Sequence, residues 1–326
     1  MTDRAKPLDQ TATYGGPGWS TRPAAHADDV AAGALWRRCG VCSEVDPLRQ
    51  VVIAAPGPEL DYPEEADYWL MLERPDLALL TRQLDGLAER YRAEGVTVHR
   101  ARPAVDPPPN FLFQRDLFFA TPEGVVLSRP ASPRRAGEAR AAAEVLAALG
   151  VPILMTPRGG ALFEGADALW VSEREVLVGL GVRTNRAAFD QLAGLLADMG
   201  VTATALPVPP ATQHLLGALD FVDRDLVVSR EDRFTEPLAD AMRARGIEAL
   251  VVPAVAEVTR GGGANFVTLG PRRLLMPAGC PETRRRYEGA GIAVVEAPLS
   301  EPLKAAGGAG CLTGILERRP LSEAVL

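Results

Sequence analysis

A pattern of apolar positions recurs five times along the chain. Each time, a stretch with helical spacing of apolar residues ends at a glycine, and a β-branched residue then opens a short apolar run. The five junctions are Gly95-Val96, Gly150-Val151, Gly200-Val201, Gly246-Ile247 and Gly291-Ile292, at intervals of 55, 50, 46 and 45 residues. Glycine takes the left-handed conformation that ends a helix, and β-branched residues favour strands. The pattern therefore predicts a helix followed by a strand in each of five segments.

Other apolar runs add further elements to these segments. The helix before Gly95 is the clearest, and Pro75 suits its first turn. Its apolar face, at alternating steps of three and four, consists of Leu77, Leu80, Leu84, Leu87 and Tyr91. Further helices are predicted at roughly residues 137–149, 187–199 and 236–245, with a shorter one before Gly291. Strands are predicted at residues 50–54, 125–128, 176–180, 226–229 and 274–276, and earlier runs such as 111–119 and 168–171 indicate a second strand.

Each segment is therefore predicted to hold two strands, a helix and a third strand. Units of about 50 residues that each bury one face must stack or close on one another. The alternative is an ordinary α/β domain whose helices happen to end at glycine, since glycine is common at helix ends.

Composition and charge narrow the class of protein. Of 326 residues, 47% are hydrophobic and 24% are charged, which predicts a packed core. The net charge of −7 argues against a nucleic-acid partner, and no apolar run is long enough to cross a membrane. The polar, Pro/Gly-rich start lacks the apolar core of a signal peptide. We expect a cytoplasmic protein with a partly disordered tail at 1–42, one domain at 43–318 and a short tail at 319–326.

Cysteine and histidine usage does not predict a metal site or a disulfide framework. The four cysteines, Cys39, Cys42, Cys280 and Cys311, are few and scattered. Cys39 and Cys42 form a lone C-x-x-C, and a structural zinc would need two more ligands at similar spacing. The three histidines, His26, His99 and His214, are isolated and do not supply them. We therefore expect no metal, and interpret Cys39 and Cys42 as small residues entering the first strand.

Polar residues occupy nearly equivalent places in successive segments. Asp116 lies 34 residues before its closing glycine, Glu164 lies 36 before and His214 lies 32 before, whereas Asn265, at 26, is a looser match. If the segments surround a pseudo-axis, equivalent places converge on it. The first three lie among apolar neighbours, where an unpaired charge is costly. A cationic ligand is one candidate partner, and a local hydrogen bond or salt bridge is the alternative for any one of them.

Cys311 follows a glycine-rich approach at residues 307–310 and precedes an apolar run. Glycine lets the backbone come close to a ligand and leaves the next side chain accessible. A lone cysteine is more often buried and inert, but beside a candidate base and a polar pocket we interpret it as a nucleophile.

These residues together resemble the pentein guanidino-modifying superfamily, which includes dimethylargininase, arginine deiminase and the amidinotransferases. The resemblance runs from about residue 43 to residue 317 and is closest to dimethylargininase-like members. Its landmarks are residues 43–49, Asn110 with Arg115 and Asp116, residues 164–167, residues 183–185, His214 with Leu215, Ala264 with Asn265, and residues 307–311. The resemblance implies a five-bladed, pseudo-symmetric α/β propeller of ββαβ repeats.

The resemblance also implies a role for each matching residue. Cys311 is similar to the nucleophile, His214 to the general acid/base, and Asp116 and Glu164 to the carboxylates that hold the guanidinium. Substrate binding is implied for Asp167, Arg183, Arg135, Asn265 and Asn110, with Arg183 and Arg135 on the substrate's α-carboxylate. No cofactor is implied. Leu216 stands where arginine deiminases and many transferases have an aspartate, and Ala166 where the motif has a second glycine.

The implied activity is hydrolysis of arginine or an Nω-substituted arginine to citrulline, with a small guanidino molecule as partner and a homodimer possible. Amidino transfer from arginine to an amine acceptor is the enzymatic alternative. A non-catalytic binding module, like the ribosome anti-association factor of the same fold, is the third reading. A papain-like Cys–His hydrolase is disfavoured, because there the cysteine precedes the histidine.

Overall fold

The computed structural model describes residues 6–319, and within them fifteen strands form five three-stranded sheets. The strands are β1 Leu48–Ala54, β2 Thr97–Ala101, β3 Phe118–Thr121, β4 Gly124–Leu127, β5 Ile153–Met155, β6 Ala168–Ser172, β7 Glu175–Leu180, β8 Thr202–Pro207, β9 Asp220–Asp223, β10 Leu226–Arg230, β11 Glu248–Val252, β12 Val267–Gly270, β13 Arg273–Pro277, β14 Ala293–Ala297 and β15 Gly314–Arg318. The α-helices are α1 His26–Ala32, α2 Leu77–Ala93, α3 Gln114–Leu117, α4 Glu138–Ala148, α5 Arg186–Asp198, α6 Glu236–Arg243, α7 Ala256–Thr259, α8 Pro281–Gly289, α9 Ser300–Lys304 and α10 Ala309–Leu312.

Every sheet has the same plan. The middle strand pairs antiparallel with one neighbour and parallel with the other, and a helix connects the parallel pair. The sheet orders are β15-β1-β2, β3-β4-β5, β6-β7-β8, β9-β10-β11 and β12-β13-β14, called blades 1 to 5 below. Each middle strand contains at least three consecutive buried apolar residues, because both of its faces are covered there. The predicted five-bladed α/β propeller of ββαβ units is confirmed.

The helix ends explain the repeating pattern in the sequence. The five closing glycines have φ values of 76°, 76°, 73°, 67° and 77°, in the left-handed region where a side chain is strained. In α2, Leu80, Leu84, Leu87 and Tyr91 are fully buried, as the periodicity predicts. The helix begins at Leu77, two residues after Pro75, so Pro75 lies outside its first turn. Asp76 is the N-cap and accepts a hydrogen bond from the Leu79 amide at 2.7 Å.

Two features of the chain differ from the sequence prediction. The apolar run 111–119 is mostly helical: a 3-10 turn at Pro109–Leu112 and the short helix α3 precede β3. The final strand, β15, pairs antiparallel with β1 and completes blade 1 with residues from the far end of the chain. This pairing joins residues nearly the whole chain apart, so it leaves no local pattern in the sequence.

Part of the segment assigned to the N-terminal tail contacts the blades. The His26 ring lies 2.9 Å from the Glu123 carbonyl oxygen, and the Arg37 amide donates to the Gly150 carbonyl at 2.8 Å. The Gly40 amide donates to Leu316 of β15, also at 2.8 Å, and Cys39 is buried in the core as a free thiol. Residues 1–5 and 320–326 lie outside the described range. Among residues 6–319, no helix has the length and apolarity that a membrane crossing requires.

Candidate active site

One polar residue stands just before the first strand of each blade. Asp116 precedes β3, Glu164 precedes β6, His214 precedes β9, Asn265 precedes β12 and Cys311 precedes β15. The offset is two to six residues in every case. The short turns that carry Asp116, Glu164, His214 and Cys311 also pack on one another across blade boundaries. The equivalent places in the repeats thus bring side chains from distant parts of the chain to one region.

Asp116, Glu164 and His214 form a buried cluster. His214 Nε2 lies 2.7 Å from Glu164 Oε2, and His214 Nδ1 lies 3.8 Å from Asp116 Oδ1. The three residues are 3%, 0% and 5% exposed. Burial alone would lower the pKa of His214, but Asp116, the hydrogen bond to Glu164 and the charge of Asp167 outweigh it and raise the pKa to about 9. The imidazole is therefore protonated at neutral pH.

The guanidinium of Arg135 lies between the two acids of this cluster. Its Nη1 donates to Asp116 Oδ2 at 2.9 Å and to Glu164 Oε2 at 3.1 Å. Burial opposes ionisation of Glu164, but Arg135 and His214 prevail and hold its pKa well below the usual range. The resemblance implies that Arg135 binds a substrate carboxylate. The structure instead places its guanidinium on the two acids that are expected to hold a substrate guanidinium.

Glu138 holds the other edge of Arg135 and was not found from the sequence. Arg135 Nε donates to both Glu138 carboxylate oxygens, at 3.0 and 3.1 Å, and Nη2 donates to Glu138 Oε2 at 2.8 Å. Glu138 is fully buried, which raises its pKa, although the pairing with Arg135 opposes the rise. In the sequence it is one acid in the first turn of α4, where acids are common because they complement the helix dipole.

Asp167 supports the cluster through neighbouring backbone and side chain. Its Oδ1 accepts from the Leu215 amide at 2.8 Å, and its Oδ2 accepts from the Thr184 hydroxyl at 2.6 Å. Burial raises its pKa to about 6, against the charge of His214 and these hydrogen bonds. Both carboxylate oxygens are thus engaged, and Asp167 fixes the residue next to His214. Thr184, which sequence reasoning missed as a site residue, also accepts from the Glu164 amide at 3.2 Å.

Arg183 contacts the cluster, whereas Asn110 contacts Trp69. Arg183 Nη1 is 3.4 Å from Glu164 Oε1, and its side chain is 14% exposed. Asn110 donates from its amide nitrogen to the Trp69 carbonyl. Among the described residues, the buried oxygens Asn110 Oδ1 and Asp116 Oδ1 have no hydrogen-bond partner. Acceptors left open in this way suit the N–H groups of a bound molecule.

Cys311 lies on the short helix α10, which packs against α3 and therefore against the element that carries Asp116. Asn265 Nδ2 donates to Cys311 Sγ at 3.0 Å, and the Cys311 amide donates to Asn265 Oδ1 at 3.3 Å. A side chain at Gly310 would put its Cβ 2.8 Å from the Phe266 carbonyl oxygen, which is why glycine precedes the cysteine. Burial, followed by the charge of Asp116, raises the pKa of the thiol to about 11.

The same three residues are also the one group in residues 6–319 whose ligand atoms could surround a metal ion. Asp116, Glu164 and His214 each offer an atom within 4.8 Å of the others. Arg135 occupies this space, because it donates to both acids. A divalent ion at this position would have to displace the guanidinium, so the donor set fits a cationic organic group better than a metal.

Known proteins resemble this chain in sequence and in fold. The family model described as arginine deiminase matches residues 78–244. The N(G),N(G)-dimethylarginine dimethylaminohydrolase of Streptomyces coelicolor is 27% identical over 267 residues, which cover 82% of this chain and 96% of that protein. Two solved structures share the fold. A DDAH mutant from Pseudomonas aeruginosa, complexed with citrulline, has a TM-score of 0.67 at 20% identity and covers 84% of this chain and 100% of its own. The amidinotransferase SxtG from Microseira wollei has a TM-score of 0.72 at 15% identity, and the match covers 88% of this chain and 99% of SxtG.

Proposed function

This chain belongs to the arginine deiminase family, and we propose that it hydrolyses the guanidino group of arginine or an Nω-substituted arginine to citrulline plus ammonia or an amine. The observation that carries the proposal is a buried pair of carboxylates, Asp116 and Glu164, that already grips a guanidinium beside a protonated His214. The dimethylaminohydrolase of Streptomyces coelicolor, which is matched over 96% of its own length, supports the same class of substrate.

Asp116 and Glu164 hold and orient the substrate guanidinium. A guanidinium is planar and presents paired N–H donors, which carboxylates accept in a bidentate way. The open Oδ1 of Asp116 is an acceptor ready for such a donor. At the other end of the substrate, the partly exposed Arg183 is suited to the α-carboxylate and the open Oδ1 of Asn110 to the α-ammonium.

Substrate binding helps to ionise Cys311. Burial is the main reason for the raised pKa of the Cys311 thiol, and the charge of Asp116 raises it further. A cation bound to Asp116 offsets that charge. The thiolate then attacks the guanidino carbon, and His214 donates its proton to the departing nitrogen. The C–N bond breaks, ammonia or amine leaves, and an amidino-thioether remains on Cys311.

Water completes the reaction. The now neutral His214 accepts a proton from a water molecule as its oxygen adds to the same carbon. The C–S bond then breaks and the hydroxyl proton of the product is lost to solvent, which releases citrulline and restores the thiolate and the imidazolium. Asn265 supports Cys311 in this step, because it donates to the sulfur. In amidino transfer an amine would take the place of water, and that activity is the alternative outcome of the test.

Incubation with arginine and with methylated arginines separates these activities. Citrulline formed without any added amine supports hydrolysis. Ornithine that appears only when an amine acceptor is present contradicts hydrolysis and supports transfer. No turnover of any guanidino compound would favour the non-catalytic binding module. A cytoplasmic location, a homodimer and the single domain 43–318 remain predictions, which cell fractionation, light scattering and limited proteolysis can test.

A further inference from the structure

The chain places its own guanidinium where the substrate's is proposed to bind. Arg135 is 3% exposed and contacts three carboxylates, those of Asp116, Glu164 and Glu138. One of its nitrogens, Nη1, donates to both acids of the pair. Glu164 Oε2 already contacts both His214 Nε2 and Arg135 Nη1, so a substrate guanidinium can take that oxygen only if Arg135 Nη1 leaves it.

The contacts of Arg135 divide between two edges of its guanidinium. Nε and Nη2 face Glu138, at 2.8 to 3.1 Å, while Nη1 alone faces Asp116 and Glu164. Glu138 is fully buried at the first residue of α4, three residues along the chain. One edge is therefore tethered locally, and the other edge depends on acids from two other positions in the fold.

We propose that substrate binding is an exchange of guanidinium groups, in which the substrate displaces Arg135 Nη1 from Asp116 and Glu164 while Glu138 retains the rest of Arg135. This proposal rests on the proposed function of the site. It makes Arg135 and Glu138 specificity-determining residues, because the displaced Nη1 then needs a new acceptor inside the pocket.

The chemistry of that acceptor defines the substrate class. Leaving a buried guanidinium N–H without an acceptor is costly. The α-carboxylate of an amino acid supplies an acceptor, and Arg183, which contacts the other oxygen of Glu164, can share it. A guanidino compound that lacks a carboxylate offers nothing to Nη1. The exchange therefore selects molecules that carry a guanidinium and a carboxylate together, and disfavours agmatine, the decarboxylated analogue of arginine.

Calorimetric binding of arginine and agmatine tests the exchange, in a Cys311→Ala background that prevents turnover. The double variant Arg135→Gln/Glu138→Gln removes the internal guanidinium and leaves a neutral amide pair in its place. When the binding-competent state is only fractionally populated, apparent affinity falls by that fraction. If Arg135 fills the site nine-tenths of the time, agmatine should bind about tenfold more tightly to the double variant. Arginine should lose its advantage over agmatine.

The outcomes separate the exchange from two simpler roles. If Arg135 only bound the substrate carboxylate, the double variant would bind arginine more weakly and agmatine equally well. If Arg135 only held the acids in place, the double variant would bind both compounds more weakly. Either result overturns the exchange. The matched control Arg183→Gln should weaken arginine without tightening agmatine. If the double variant does not fold, Arg135→Lys serves, because one ammonium cannot hold Glu138 and the acid pair together.

Turnover of arginine by the unaltered protein is measured separately. Citrulline formation without the gain in agmatine affinity overturns the exchange but leaves the proposed function standing. A gain in agmatine affinity without any citrulline supports the exchange and overturns hydrolysis. Failure of both compounds to bind to any variant overturns both proposals.

Discussion

Thr184→Val tests how the cluster around His214 is held in place. The Thr184 hydroxyl is buried, donates to Asp167 Oδ2 at 2.6 Å and accepts from the Glu164 amide at 3.2 Å. Valine keeps the shape of threonine but makes neither bond. A hydrogen bond to a charged group contributes roughly 1.5–3 kcal/mol and a neutral one roughly 0.5–1.5 kcal/mol. We therefore expect the free energy of unfolding to fall by about 3 kcal/mol.

The same substitution should lower catalysis. The hydroxyl of Thr184 is one of the groups that keep the pKa of Asp167, raised to about 6 by burial, from rising further. Without it, more of Asp167 is protonated at neutral pH, and its bond from the Leu215 amide, next to His214, weakens. Misplacement of a general acid costs about tenfold or more in kcat.

Urea unfolding and initial rates of citrulline formation measure both effects, with Thr184→Ser as the matched control. Serine keeps the hydroxyl and loses one methyl group, which costs about 1 kcal/mol, so its kcat should stay near that of the unaltered protein. Equal stability and equal kcat for the valine and serine variants would refute the reasoning, because the hydroxyl would then contribute to neither quantity.

Three further predictions concern the reacting groups. Cys311→Ala should abolish citrulline formation while arginine still binds calorimetrically; retained turnover would end the nucleophile assignment. Asp116→Asn should move the pH at which iodoacetamide alkylates Cys311 downward by about one unit, because Asp116 raises the thiol pKa; an unchanged alkylation profile would contradict this. The reactive form needs a Cys311 thiolate and a protonated His214, whose pKa values in the free protein are about 11 and about 9. Hence kcat/KM should rise with pH up to about 9 and level off until about 11. A plateau of kcat/KM that begins near neutral pH would contradict these pKa values for Cys311 and His214.

The parts of the fold that could be predicted are those that depend on residues close together in the sequence. A left-handed glycine after a helix leaves a mark at one position, and the φ of 67° to 77° at the five junctions shows why that mark recurs. Burial of α2 follows from periodicity alone. The run 111–119 misled, because a short buried segment is apolar whether it is helical or extended, and most of it forms tight helical turns. Those turns bring Asp116 toward the centre of the molecule.

The parts that could not be predicted depend on competition between distant groups. Matched offsets from the closing glycines predicted that Asp116, Glu164 and His214 would meet, because pseudo-symmetry relates those positions. Arg135 and Arg183 each lie three residues before the helix of their blade, so the repeat marks both positions, but it does not say which acid each guanidinium contacts. Burial and distance in the folded chain determine which acid each arginine pairs with.

The pairing of opposite charges in this site explains how three carboxylates can be buried there. Asp116, Glu164 and Glu138 are each at most 3% exposed, and a buried carboxylate without a partner is strongly destabilising. Arg135 offsets that cost in the free protein, and His214 adds a second cation. A neutral ligand could not replace Arg135 on the acid pair without leaving both carboxylates uncompensated. The electrostatics that stabilise these buried acids therefore favour, among incoming molecules, one with the charge and the planar shape of a guanidinium.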